Sequence, residues 1–271
     1  MPRPLHYKVA PDTRVHLDEI PTREDSAYKG KEDPDYLADL EKAQTQLSEL
    51  QSRLFAEASR AVLVVLQAPD AAGKDGVLRK VVGPLDSRGV YVWSFKAPNS
   101  EDVAHDYLWR LHQKTPRRGE MVFFNRSHYE DVLVVRVMGL VPEQQWKRRY
   151  DHIRDFERML GDEGTTVVKI YLHISKDEQL ERFQERLDVP EKRWKFDPRD
   201  LEMRRHWDEF QRAYEAAFEK TSTEDAPWYI VPADRKWIRD LAVARILVDV
   251  LERLDPGYPE PRFDPASIKL E

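Results

Sequence analysis

Ala61-Val-Leu-Val-Val-Leu66 runs directly into Gln67-Ala-Pro-Asp-Ala-Ala-Gly-Lys-Asp-Gly76, and the reading of this junction decides the fold. The first six residues are apolar and rich in valine, with no polar alternation. That composition suits a strand covered on both faces, as in a parallel sheet between helices. The next ten carry Gly73-Lys74, and a helical pattern starts near Asp75. A strand that enters a loop and then opens a helix aims backbone N–H groups and the positive helix end at an anion. Gly73 permits close backbone approach, and Lys74 adds a movable charge within reach of a transferring phosphoryl group. The loop departs from Gly-x-x-x-x-Gly-Lys-Ser/Thr at two places: Ala68 replaces the first glycine and Asp75 the metal-binding hydroxyl. A turn carrying a solvated lysine is the bland alternative. Against it, carboxylates at Asp70 and Asp75 make sense beside phosphate when a cation offsets their charge, which points to Mg²⁺ with Asp70 as anchor.

Outward from this junction, apolar runs at 90–93, 121–124, 166–172 and 228–231 read as further strands. An amphipathic helix precedes the junction, with Leu37, Leu40, Ala43, Leu47, Leu50, Leu54 and Ala58 at three- and four-residue intervals. Helical patterns also cover 75–86, 100–113, 127–138, 142–160, 176–187, 198–219 and 234–254. Such alternation predicts an α/β fold of three layers, α/β/α, around a mostly parallel sheet. Without internal repeats or long linkers, one domain over 34–254 is expected, preceded by an arm (1–33) lying on the body or on a neighbouring subunit and followed by an extended tail (255–271).

Composition bounds the function. The 271 residues contain no cysteine, which removes disulfides and thiolate metal sites. Forty-four Lys plus Arg against 50 Asp plus Glu leave a net charge of -6, so neither nucleic acid nor an anionic membrane is attracted globally, and any anion site must be local. No apolar run approaches the roughly 18 residues that cross a bilayer, and the first ten residues lack a signal-peptide core; a cytoplasmic location is expected.

Two other segments carry chemistry. The strand at 121–124 ends in Asn125-Arg-Ser-His-Tyr-Glu-Asp131, polar groups at the carboxyl end of a central strand, where open α/β sheets bind ligands. Arg126 suits phosphate oxygens, Asn125 a metal-bound water, and Glu130 an acceptor or second metal. A carboxylate pair in the first turn of a helix is the structural alternative for Glu130 and Asp131, and Arg136 reads equally well as a structural ion pair. His128, without a second histidine at metal spacing, reads as a packing or capping residue. The stretch 181–207 concentrates cations in an acidic protein, as a lid closing over phosphates would. Arg182 and Arg186 share one helical face there, although nearby glutamates would equally suit an exposed charged helix.

Taken together, Ala68-Pro-Asp-Ala-Ala-Gly-Lys-Asp-Gly76, Phe124-Asn-Arg-Ser-His-Tyr-Glu130, Arg136-Val-Met-Gly139 and Ala226-Pro-Trp228 resemble the polyphosphate kinase type 2 family, over about residues 37–254. The resemblance implies a P-loop kinase fold like that of thymidylate kinase with a helical lid. It also implies transfer from inorganic polyphosphate to AMP or ADP with Mg²⁺, for which Mn²⁺ substitutes, and reversibly to and from ATP. By position, the loop Ala71, Ala72, Gly73, Lys74, Asp75 and Gly76 would hold polyphosphate, and Asp70 and Glu130 the metal. Asp70, Asn125, Arg126, Tyr129, Glu130 and Arg136 would contact nucleotide, and Arg182 and Arg186 would act from the lid. Many relatives carry Asp where Asn125 stands and Asn where Glu130 stands; the exchange resembles the subgroup that accepts both AMP and ADP. A homo-oligomer, dimer or tetramer, is also implied. The rival readings are an ATP-dependent nucleotide or nucleoside kinase and a protein that binds nucleotide or polyphosphate without turnover.

Overall fold

Residues 6–24, 28–268 and 270 are described by a computed structural model; the remaining parts of the expected arm and tail lie outside it. Among the described residues, six strands, β1 (Tyr7–Val9), β2 (Ala61–Gln67), β3 (Val90–Ser94), β4 (Met121–Asn125), β5 (Thr165–His173) and β6 (Trp228–Pro232), form one sheet in the order β1-β6-β5-β2-β4-β3. All pairings are parallel except β1 with β6. Every residue of β2 is buried, as its uninterrupted apolar run requires at the centre of a doubly covered sheet.

Among the described residues, ten α-helices join and cover the strands: α1 (Pro34–Glu57), α2 (Lys74–Val77), α3 (Ser100–Ala104), α4 (Trp109–His112), α5 (Val134–Val137), α6 (Glu143–Asp162), α7 (Lys176–Asp188), α8 (Arg199–Arg205), α9 (Trp207–Thr221) and α10 (Lys236–Leu254). Alternate β2 side chains enter opposite cores. Val62, Val64 and Leu66 meet Leu47 and Leu54 of α1 and Leu247 of α10, while Leu63 and Val65 meet Ile153 of α6 and Phe218 of α9. The result is the three-layer α/β/α arrangement of a P-loop kinase. No described helix is long and apolar enough to cross a membrane.

The sequence pattern and the structure part at several elements. The arm contributes β1, three residues too short to leave a periodic signal, paired antiparallel with β6. The expected helix at 100–113 is two. Asn99 and Asp102 form a reciprocal cap that starts α3, and the Asp106 carboxylate accepts from the amides of Leu108 and Trp109, restarting the chain into α4. The pattern at 127–138 divides into a 3₁₀ turn (His128–Asp131), begun by Ser127 Oγ accepting from the Tyr129 amide, and α5. At 75–86, α2 passes into a π turn (Leu78–Val82) closed by Gly83 N donating to Leu78 O at 2.9 Å and ended by Pro84. At 198–219, α8 and α9 meet at His206.

Candidate active site

The register of the sheet builds the site before any side chain is considered. Leu66 of β2 lies opposite Asn125 of β4, so the two carboxyl ends finish side by side and both following loops rise from one edge. Each loop contains a residue other than glycine in the left-handed region, Ala71 at φ 63° and Arg126 at φ 62°. Left-handed backbone is unfavourable for side chains with a Cβ and persists where surrounding contacts impose it, often at functional sites. Here it turns the two loops toward each other.

Between them opens a cavity of about 1990 Å³ that reaches from the loop to the segment carrying α8. Asp70, Asp75, Asn125, Arg126, Glu130 and Arg186 all line it. Arg126 Nη2 donates to Asp70 Oδ1 at 2.7 Å, spanning the two loops. Asn125 Nδ2 donates to Asp75 Oδ1 at 3.2 Å and to Ser94 Oγ at 3.3 Å. Lys74 is not among the residues lining the cavity; its Nζ donates to the carbonyl of Ala68, which does line it, at 2.9 Å. Burial and then the Arg126 guanidinium push the Lys74 ammonium below its ordinary value, with Asp70, Glu130 and Asp75 opposing them. Burial, reinforced by the like charge of Asp70, raises the Glu130 carboxyl against the pull of Arg126 and Lys74. A divalent cation beside Asp70 and Glu130 would relieve that repulsion.

The candidate ligand atoms here, the carboxylates of Asp70 and Glu130 and the amide Oδ1 of Asn125, are all oxygens, as hard cations prefer. Asn125 Oδ1 is buried without a hydrogen-bond partner, an acceptor available to a cation or its bound water. The residues present therefore fit a hard divalent metal.

Other expected site residues are placed differently. Arg182 is 5 % exposed, and all its N–H groups are engaged behind the loop. Nη1 donates to the carbonyls of Ala71 (3.0 Å) and Ala72 (2.9 Å), Nη2 to those of Ala233 (2.7 Å) and Asp234 (2.9 Å), and Nε to Glu178 (2.8 Å). The expectation of a phosphate-facing lid residue is corrected: Arg182 supports the loop from below. Tyr129 is corrected as well. Its ring is fully buried and its hydroxyl sits 2.8 Å from Glu157 Oε1 and 2.9 Å from Thr221 Oγ1, which leaves no face for a nucleotide. Arg136 does not line the cavity; its guanidinium lies 4.7 Å from the centre of the Trp146 ring and donates to the Tyr150 hydroxyl at 3.1 Å. Arg186, in contrast, reaches the cavity and pairs with Asp200 at 3.2 Å. Within the expected lid, the cavity is lined by Arg186 of α7 and by the following chain from Trp194 to Arg199 and on into α8.

Sequence reasoning passed over Gln179, whose Nε2 donates to the Asp70 carbonyl at 2.9 Å, and Arg239, whose Nη1 donates to the Ala72 carbonyl at 3.0 Å. Gln179 leaves no signal in a polar helix. Arg239 does: Arg239-Asp240 interrupts an otherwise apolar stretch of α10, the mark of a buried ion pair.

The profile of the polyphosphate kinase 2 family matches residues 30–257. An AMP/ADP-polyphosphate phosphotransferase of Meiothermus ruber is 54 % identical over 265 residues, covering 98 % of this chain and 99 % of its own. An ADP-polyphosphate phosphotransferase of Rhodopseudomonas palustris is 43 % identical over 267 residues, covering 94 % and 91 %. The crystal structure of polyphosphate kinase 2 from Arthrobacter aurescens superimposes with a TM-score of 0.89 at 44 % identity, over 94 % of this chain and 92 % of that one. Since the matched region contains both loops, the cavity between them and the segment after α7 that lines it, the chain belongs to the polyphosphate kinase 2 family and is a phosphotransferase.

Proposed function

We propose that this protein moves the terminal phosphoryl group of inorganic polyphosphate onto AMP and onto ADP, with Mg²⁺ as the working metal and Mn²⁺ as a substitute. The observation that carries the reading is the pair of facing loops joined by Arg126 and Asp70 at 2.7 Å, one loop built for a phosphate chain and the other for the group that receives it. The 54 % identity to the Meiothermus ruber enzyme supports use of both acceptors, as does the neutral amide of Asn125 opposite the loop.

In this reading Ala71 to Gly76 cradle the donor end of polyphosphate, and Lys74 leaves the Ala68 carbonyl to follow the transferred group. Asp70 and Glu130 would hold the metal with Asn125 Oδ1 as a further acceptor, and when bound it would screen the phosphate charges that otherwise repel. An oxygen of the acceptor phosphate attacks the terminal phosphorus in line, the bridging P–O bond breaks, and the shortened chain leaves with the electron pair. Arg126 and Arg186 stabilise charge on the transferring group. No phosphoenzyme is required, because a nucleotide phosphate oxygen is already a competent nucleophile and positioning supplies much of the catalysis. The protein acts in the cytoplasm as a homo-oligomer, without nucleic acid or membrane as partner.

Purified protein incubated with Mg²⁺, long-chain polyphosphate and either AMP or ADP tests this reading, with nucleotides followed by chromatography. ATP forming from AMP by way of ADP is the expected result. Reaction of ADP alone would remove the broad acceptor range, and ATP acting as the sole competent donor would favour an ordinary nucleotide kinase. Lys74→Ala is expected to abolish transfer with the fold intact.

A further inference from the structure

Behind the phosphate loop, on the side away from the cavity, stands a second guanidinium. Arg239 of α10 is 2 % exposed. Its Nε and Nη2 donate to Asp240 Oδ1 at 3.0 and 2.6 Å, and its Nη1 donates to the Ala72 carbonyl at 3.0 Å. The two loop glycines lie against it. A Cβ on Gly73 would stand 1.9 Å from Arg239 Nη1, and one on Gly76 would stand 2.7 Å from Nη2, both inside any tolerated contact. Although the tip of an arginine is normally free to yield, this one is pinned at all three nitrogens, so yielding breaks the bond to Ala72.

That bond has a geometric consequence. In a planar trans peptide the C=O and the next N–H point in opposite directions. Drawing the Ala72 carbonyl back onto Arg239, where it also accepts from Arg182 Nη1 at 2.9 Å, therefore turns the Gly73 amide forward, and among the described residues that amide makes no backbone hydrogen bond. We propose that Arg239 is a positioning residue for phosphoryl transfer: it fixes the Ala72–Gly73 peptide with its N–H toward the anion, and its guanidinium is what demands glycine at 76. The proposal rests on the reading of this loop as the polyphosphate site. Because Asp240 balances the charge of Arg239, the effect is one of peptide orientation and not of net charge.

The test uses the full chain with Arg239→Lys, the neutral pair Arg239→Met/Asp240→Asn, Gly76→Ala, and Gly76→Ala in the neutral-pair background. Tripolyphosphate affinity by calorimetry is measured beside kcat, KM for polyphosphate, KM for ADP and Tm. For a displaced loop, the neutral pair and Arg239→Lys each lose about tenfold or more in tripolyphosphate affinity and kcat, with KM for ADP nearly unchanged. Lysine fails despite keeping the charge, because it lacks the planar fork that grips Ala72 and Asp240 together. Gly76→Ala is damaging alone and adds little in the neutral-pair background, where the clash is gone. A folded neutral pair with wild-type tripolyphosphate affinity and kcat overturns the proposal. So does a Gly76→Ala loss of equal size in both backgrounds, or a fall in Tm with no change in donor affinity. If the neutral pair does not fold, Arg239→Lys decides by the same measurements. Failure of the underlying reading is distinct: wild-type protein itself would neither bind tripolyphosphate nor turn over polyphosphate.

Discussion

Arg126 and Asp70 lie 56 residues apart in the chain, yet their side chains meet at 2.7 Å and, with Asn125 and Asp75 at 3.2 Å, link the two loops that flank the cavity. Arg126 is 40 % exposed, so this ion pair is screened by water and contributes less than about 1 kcal/mol to stability. Arg126→Ala is therefore expected to leave Tm within about 2 °C of wild type. Its guanidinium faces developing phosphoryl charge, and its loss is expected to lower kcat about 10²–10⁴-fold. Steady-state kinetics and thermal unfolding on the same preparation check both halves; near-normal kcat would remove Arg126 from the chemistry.

Arg182 and Arg186 lie one helical turn apart on α7 but are expected to fail in different ways. Arg182 donates to four backbone carbonyls and Glu178, so Arg182→Ala leaves buried acceptors without donors. A loss of about 3–5 kcal/mol is expected, together with activity. Arg186 is bound to Asp200 and the Lys195 carbonyl at the rim of the cavity, and Arg186→Ala should lower turnover with little change in unfolding midpoint. Urea unfolding of both variants decides; equal destabilisation would return Arg186 to a structural role.

The second wall rests on a buried charge. Lys169 is fully buried in β5, its Nζ donating to Glu157 Oε2 and to the Thr221 carbonyl, each at 2.6 Å. Glu157 Oε1 in turn lies 2.8 Å from the Tyr129 hydroxyl and 3.1 Å from His128 Nε2, so one carboxylate ties the turn carrying Glu130 to α6 and β5. Burial works against ionisation of Glu157, but Lys169 and His128 outweigh it and hold the carboxyl below its ordinary range. Lys169→Met is expected to destabilise by about 3–5 kcal/mol because it strands that carboxylate, and Lys169→Met/Glu157→Gln to recover part of the loss. Chemical unfolding of the three proteins measures the coupling; additive losses would exclude it.

Acid sensitivity has a definite contributor far from the cavity. Arg60 forms two hydrogen bonds with Glu57, at 2.8 and 2.6 Å, and these hold the Glu57 carboxyl down at about 2. A carboxyl lowered on folding stabilises the native state above its unfolded value near 4.5, and that contribution disappears as pH falls toward 2. With solvent screening the effect is on the order of 1 kcal/mol. Wild type should exceed Glu57→Gln in stability at pH 7, and the gap should narrow between pH 4.5 and 3. A gap independent of pH would show that packing, not charge, distinguishes the two proteins.

Local sequence determined the parts of this protein whose physics is local. A short apolar run rich in β-branched residues and bounded by turn signals suits a strand covered on both faces, which made β2 and β4 legible, and β5 despite Lys169, together with the parallel sheet around them. A loop ending in Gly-Lys at a helix start carries its own anion chemistry, and the carboxyl end of β4 brings Asn125, Arg126 and Glu130 to the same edge because parallel strands finish together. Tertiary structure decided which way the remaining side chains face. Arg182, Arg186 and Arg239 are alike in sequence as cations on helices, but Arg182 and Arg239 pass under the loop to its carbonyls while Arg186 reaches the cavity. Tyr129 sits between two cavity-facing residues yet turns into the core, because the 3₁₀ turn carrying it is anchored on Glu157 and Thr221 from distant helices. For Tyr129 and Arg239 the direction is set by partners 28 and 167 residues away, and no pattern within one segment contains them.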